Sequence, residues 1–165
     1  MEARLHAELA TVLEGRIPTM DDVPKLEWTR AIVAESMRLF PPAWTMGRRA
    51  LAGHSLGNHA IEKDALVIMS QWVVHRDPRW WDEPAAFKPE RWMAPVAERP
   101  KYSYFPFGGG SRVCIGESFA WTEAILLLAT IAQRWRFVRG SAPTPTTEPR
   151  ITLRPKGLFM TAAPR

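Results

Sequence analysis

Leu5, Leu9, Val12 and Leu13 recur at helical spacing and predict an amphipathic helix from the first residues. No Ser, Thr, Asp or Asn stands ahead of it as a cap, so the reading at this end is a chain that begins inside a helix. Gly15 and Pro18 close that helix, Asp21-Asp22-Val23-Pro24 opens a second, and the Pro41-Pro42 pair stops it. Between 45 and 70, short apolar runs alternate with turn residues (Gly53, Gly57-Asn58, Lys63-Asp64), which predicts three short antiparallel strands. Residues 71–75 fit one helical turn. Residues 77–106, rich in Pro and Trp and without periodicity, predict a long ordered loop of the kind that usually serves a function. After Cys114 a strong helix runs to about Arg134, followed by a strand over 135–138 and a Pro/Thr-rich loop over 141–149. Two last strands, 151–154 and 158–161, are joined by a turn at Pro155-Lys156-Gly157. No internal repeat occurs. The fold class expected is mainly α with small antiparallel β-sheets, an α+β arrangement.

The second helix carries an anomaly. Trp28, Ala31, Ile32, Glu35 and Leu39 fall on one face, so Glu35 is expected to point into the core, with Arg38 one turn on as the nearest cation. The plain alternative is a surface pair three residues apart, which contributes little. The apolar face weighs against it, because a buried carboxylate must be matched by a cation and further donors.

Composition narrows the classes. At 165 residues with 46% hydrophobic and 24% charged positions the chain fits one globular domain. Eight Trp imply a dense core or a surface that receives more protein. The formal charge of +5 comes without basic residues interleaved with aromatics, so nucleic acid is not an expected partner. A single Cys makes no internal disulfide and is structural, reactive or a ligand. The longest apolar run, 119–132, is broken by Thr122 and Glu123 and is too short to span a bilayer. No basic segment followed by an apolar one opens the chain, so no signal peptide is expected.

The neighbours of that Cys decide its role. In Phe107-Gly108-Gly109-Gly110-Ser111-Arg112-Val113-Cys114-Ile115-Gly116 an Arg stands two residues before the Cys and a helix follows it. Glycines permit positive φ and close approach to a flat ligand. Backbone amides and the positive end of the next helix favour thiolate over thiol. Arg112 can reach a carboxylate on the same ligand. A lone Cys is usually a small buried hydrophobe, and a glycine-rich loop can cradle a nucleotide. The second reading needs a preceding strand and a phosphate-binding Lys, neither of which is present.

Residues 107–116 resemble the haem-binding signature of the cytochrome P-450 family at each defining position: the Phe, the Gly, the Arg, the Cys and the last Gly. Glu35-Ser36-Met37-Arg38 is similar to the family's Glu-x-x-Arg motif, and Pro89-Glu90-Arg91-Trp92 to its Pro-Glu-Arg motif. The resemblance runs over 1–165 but corresponds to the carboxy-terminal portion of a soluble, bacterial-type member, a partial domain without the larger amino-terminal portion. It implies haem b held by the thiolate of Cys114, with Arg112 and Arg48 on the propionates (Arg49 as the alternative to Arg48). Phe107 would pack near the thiolate, with Gly108 and Gly116 framing the loop, and Ala43, Trp44 and Thr45 would border the substrate pocket. It also implies a structural ion cluster of Glu35, Arg38 and Arg91. Glu62-Lys63-Asp64 stands where the family usually has a Pro-Lys-Gly turn.

The implied activity is haem-thiolate monooxygenation, inserting one oxygen atom of O2 into an organic, hydrophobic substrate. Electrons would come from an external ferredoxin, flavodoxin-like protein or reductase, drawn to Arg99, Lys101 and Arg112 near the ligand loop. The implied location is cytoplasmic, with a membrane anchor in the missing amino-terminal portion as the other possibility. Two rival readings are a truncated fragment inactive alone and a basic interaction module in which Cys114 is merely buried.

Overall fold

The computed structural model describes residues 1–93, 95 and 98–165. Helix α1 (Glu2–Leu13) buries Leu5, Leu9 and Leu13, and ends where Glu14 turns left-handed at φ 50°, with Gly15 following at φ 84°. The second helix starts later than its sequence suggests. Asp22 turns back to accept from the Thr19 amide at 2.8 Å and from Arg16 at 2.6 Å, which fixes a separate 3-10 turn over Met20–Lys25. Helix α2 (Glu27–Leu39) then begins afresh, and its cap comes from another element. The Glu8 carboxylate of α1 accepts from the amides of Trp28 (2.6 Å) and Thr29 (2.9 Å) and from the Thr29 hydroxyl (2.7 Å).

Strands β1 (Met46–Arg49) and β4 (Leu66–Met69) pair antiparallel around an inner hairpin of β2 (His54–Leu56) and β3 (His59–Ile61). Four strands therefore stand where three were expected, because the hairpin closes at Gly57, at φ 55°, and forms a pair of its own. The unusual Lys63-Asp64 turn is made with Asp64 left-handed at φ 67°, a conformation Asp tolerates better than most residues.

A single turn, α3 (Gln71–Val74), leads into the long segment before the Cys, which contains a 3-10 turn at Pro89–Trp92. The loop predicted over 77–106 includes residues 94, 96 and 97, which lie outside the described residues. Helix α4 (Glu117–Arg134) buries Ile125, Ala129 and Ala132 against α1 and α2, and these with Leu5, Leu9, Leu13, Leu26, Trp28 and Ala31 form the main core. Among the described residues no helix is long and apolar enough to cross a membrane.

The carboxy-terminal strands depart from expectation. β5 (Trp135–Val138) pairs with β8 (Thr161–Pro164), and β6 (Thr146–Pro149) pairs with β7 (Leu153–Lys156). The expected 151–154 with 158–161 hairpin does not form, and the expected loop over 141–149 contains β6. Pro155 and Lys156, expected in the turn, belong to β7, and Gly157 at φ 72° ends it. A two-stranded ribbon largely exposed on both sides needs no apolar alternation, so Thr-Thr-Glu-Pro carried no strand signal. Pro is compatible with an edge strand.

Candidate functional site: a cysteine groove and the ion cluster behind it

The Cys114 loop closes one side of a groove of about 840 Å³ whose walls come from α2 (Ile32, Val33, Met37), α4 (Ala120, Ala124, Leu128) and the chain around Pro42 and Met46. Cys114 is exposed into it, which contradicts the reading of a merely buried Cys. The Cys114 amide donates to the Phe107 carbonyl at 2.9 Å, drawing the loop into a tight arch. Phe107 also lines the groove, its ring 6.1 Å from that of Trp121 on α4. Gly108 takes φ +77° and a Cβ there would meet Met46 at 3.3 Å, so both backbone and space call for glycine. At Gly109 the demand is steric alone, since a Cβ would fall 2.5 Å from the Tyr102 ring. Gly116 has an ordinary φ of −86° as the residue capping α4, and its Cβ position lies 3.8 Å from the Cys114 sulfur.

Arg48 and Arg112 both line this groove, Arg48 from β1 and Arg112 from a 3-10 turn at Gly110–Arg112. Successive side chains on a strand point to opposite faces. Arg49 accordingly lies outside the groove, 3.9 Å from Asp64 with both side chains exposed. Of the loop expected to border a substrate, Ala43 lines the groove. Trp44 donates to the Arg150 carbonyl at 2.8 Å and Thr45 to the Met69 carbonyl at 3.3 Å.

Among the described residues no group of three or more His, Cys, Asp or Glu could hold a metal ion. One exposed thiol, apolar walls, backbone kept bare by glycine and two guanidinium groups suit a flat, apolar macrocycle with a central metal and carboxylates at its edge.

Behind the groove, Glu35 is fully buried and every polar approach to it is used. Arg38 donates to it at 2.9 and 2.8 Å, the Lys88 amide at 2.8 Å, the Trp92 indole at 2.9 Å and Arg91 at 3.1 Å. Desolvation pushes this carboxyl up, but the bonds from Arg38, the Lys88 amide and Trp92 outweigh it, and the net direction is down from the ordinary value. Arg38, equally buried, also donates to the carbonyls of His75 (2.7 Å), Pro84 (2.8 Å) and Ala86 (2.9 Å). The sequence pointed to Glu35, Arg38 and Arg91. It gave no sign of the Lys88 amide or the three carbonyls, and only the adjacency of Trp92 to Arg91 hinted at the indole.

Arg99 does not stand free as a docking charge. It lies 4.6 Å from the Trp81 ring and 5.2 Å from that of Trp92, and donates to the Arg91 carbonyl at 3.0 Å. Burial lowers its pKa from the ordinary value. Lys101 remains exposed, 5.1 Å over the Tyr102 ring.

Residues 1–162 match the sequence profile of the family described as Cytochrome P450. The chain is 45% identical over 164 residues to cyclooctatin synthase of Streptomyces melanosporofaciens, covering 99% of this chain and 34% of that protein. It is 35% identical to pentalenene oxygenase of Streptomyces avermitilis, covering 100% of this chain and 35% of that one. Among solved structures, the cytochrome P450DA heme domain superposes with a TM-score of 0.91 at 29% identity, over 99% of this chain and 37% of its own. A zebra fish cytochrome P450 with abiraterone gives a TM-score of 0.87 at 34% identity, over 99% and 40%. The chain belongs to the cytochrome P450 family. It spans about a third of the length of the curated relatives it matches.

Proposed function

We propose that residues 1–165 are the haem-ligating part of a P450 monooxygenase, which inserts one oxygen atom of O2 into a hydrophobic organic substrate and draws electrons from an external donor. The observation that carries this reading is the exposed Cys114 facing an apolar groove that Arg48 and Arg112 also line. Relatives named cyclooctat-9-en-7-ol 5-monooxygenase and pentalenene oxygenase support the reaction class, and a neighbour described as a heme domain supports the cofactor.

Haem bound here would supply oxygen activation, and the Cys114 thiolate would hold it and donate electron density to it. The chain's own residues orient and hold. Cys114 offers the sulfur from an arch fixed by the Phe107 carbonyl, and Arg48 and Arg112 offer guanidinium groups to carboxylates. Phe107 would line the groove beside the group, Gly108 lets the loop turn at positive φ, and Gly116 would frame the loop where α4 begins. The Glu35–Arg38–Arg91 cluster locks α2 to the segment that leads into the Cys loop. The test is Cys114→Ala in the haem-loaded protein, which should abolish the red-shifted absorption band of the reduced carbon monoxide complex. A variant that kept the band would sink the ligand assignment.

A second reading, that residues 1–165 do not turn over alone, rests on the apolar surface beside the groove, where Ile115 and Phe119 are exposed. Titrating haemin into the purified chain separates the two: stoichiometric binding with a stable thiolate spectrum and substrate turnover would exclude it.

A further inference from the structure

Gln71 is a polar residue that the site described above does not use. Its side chain is fully buried at the start of α3, it lines the Cys114 groove, and neither its amide nitrogen nor its amide oxygen has a hydrogen-bond partner. Buried carboxamides without partners are uncommon, because the loss of water is not recovered. One turn further on, His75 is also fully buried. Its Nε2 accepts from the Phe105 amide at 2.9 Å, so the proton of the neutral ring sits on Nδ1, which has no partner either. Residues four apart share one face of a helical turn. The two residues thus leave a donor, His75 Nδ1–H, and the whole Gln71 carboxamide unsatisfied by the chain. The Gln71 Nε2 carries two N–H donors that no protein group takes, on a residue that lines the groove.

We propose that Gln71 is a further cofactor-binding residue, whose amide N–H donates to a carboxylate at the edge of the group that Cys114 ligates, supplementing Arg48 and Arg112. The inference rests on the haem reading. It adds a neutral donor to two cationic ones. His75 in turn offers its carbonyl to Arg38, so the same short helix touches both the groove and the ion cluster.

The experiment uses the haem-loaded protein and follows haem loss to excess apomyoglobin. Gln71→Leu, of similar volume, should release haem about three- to tenfold faster than wild type, the size of one net hydrogen bond. Gln71→Glu should release it faster still, since a carboxylate there faces another. The decisive arm replaces haem with its dimethyl ester, whose edge has no carboxylate. With the ester, wild type and Gln71→Leu should release at the same rate. If Gln71→Leu accelerates loss equally for haem and ester, the amide serves the fold alone and the proposal is overturned. Loss from Gln71→Leu at the wild-type rate with haem overturns it too. If wild type itself holds no haem through Cys114, with Cys114→Ala spectrally unchanged, the haem reading fails first, so the two failures are distinguishable.

Discussion

Arg38 lies one helical turn from Glu35 and bonds both oxygens of its carboxylate, at 2.9 and 2.8 Å, with neither side chain exposed. The same guanidinium reaches three carbonyls in the segment that follows α3, so it links two regions of backbone as well as neutralising a charge. Removing either partner leaves an uncompensated buried charge, at a cost of about 3–5 kcal/mol. Glu35→Ala and Arg38→Ala should each lower the urea midpoint accordingly. Arg38→Lys should fall nearly as far, since an ammonium cannot reproduce a planar fork serving two oxygens and three carbonyls. A lysine variant with wild-type stability would mean that charge alone matters there.

His75 predicts a separate loss of stability in mild acid. Burial lowers its pKa to about 4 from an ordinary value of 6.5. Between those values the unfolded chain takes up a proton that the folded one refuses, so stability falls as pH drops. The slope is about 1.4 kcal/mol per pH unit, on the order of 3 kcal/mol across the window. Above pH 6.5 both states are neutral and the term is flat. His75→Gln keeps an acceptor for the Phe105 amide and removes the titration. Its urea midpoint should therefore change less between about pH 7.5 and pH 5 than that of wild type, and equal changes in the two proteins would refute the assignment.

The helices were legible because each buries one regular face: Leu5, Leu9 and Leu13 of α1, and Trp28, Ala31, Glu35 and Leu39 of α2. Glu35 was readable for the same reason, as a charge out of place on that face. What escaped the sequence was whatever depends on partners far along the chain. The cap of α2 is Glu8, twenty residues away from Trp28, and no local pattern marks a cap supplied by another helix. β6 is mostly exposed and carries no alternation, so it could not be located by period, and β7 was found only in part, through Leu153 and Arg154. Arg48 and Arg49 are chemically alike in sequence, and only the direction of each side chain on β1 separates them. Arg99 looked like a free surface charge, but it packs against Trp81 and Trp92.

The difference between the two neighbouring arginines gives the third prediction. Arg48 lines the groove, whereas Arg49 faces Asp64 across 3.9 Å on exposed surface, a pair worth about 0–1 kcal/mol. In the haem-loaded protein Arg48→Ala should speed haem loss by about tenfold or more, as expected for a charge-assisted bond. Arg49→Ala should leave the rate unchanged. Equal effects, or the reverse order, would return the propionate role to Arg49.

The last prediction concerns the external electron donor and follows from the fate of the two basic residues near the loop. Arg99 packs against both Trp81 and Trp92, so reversing its charge would disturb packing as well as potential, and a slower reduction would not be interpretable. Lys101 is exposed and sits over Tyr102, whose ring in turn lies against Gly109 of the Cys loop. It therefore presents an exposed positive charge at the outer edge of that loop. An acidic donor approaching this face gains chiefly in association rate, and that gain is screened once the Debye length falls to about 10 Å near 0.1 M salt. Lys101→Glu should slow reduction at low ionic strength and converge on the wild-type rate at high ionic strength, with the urea midpoint unchanged. Stopped-flow reduction measured across a salt series reads both effects. A rate indifferent to salt and to the reversal would place the donor on another face of the protein.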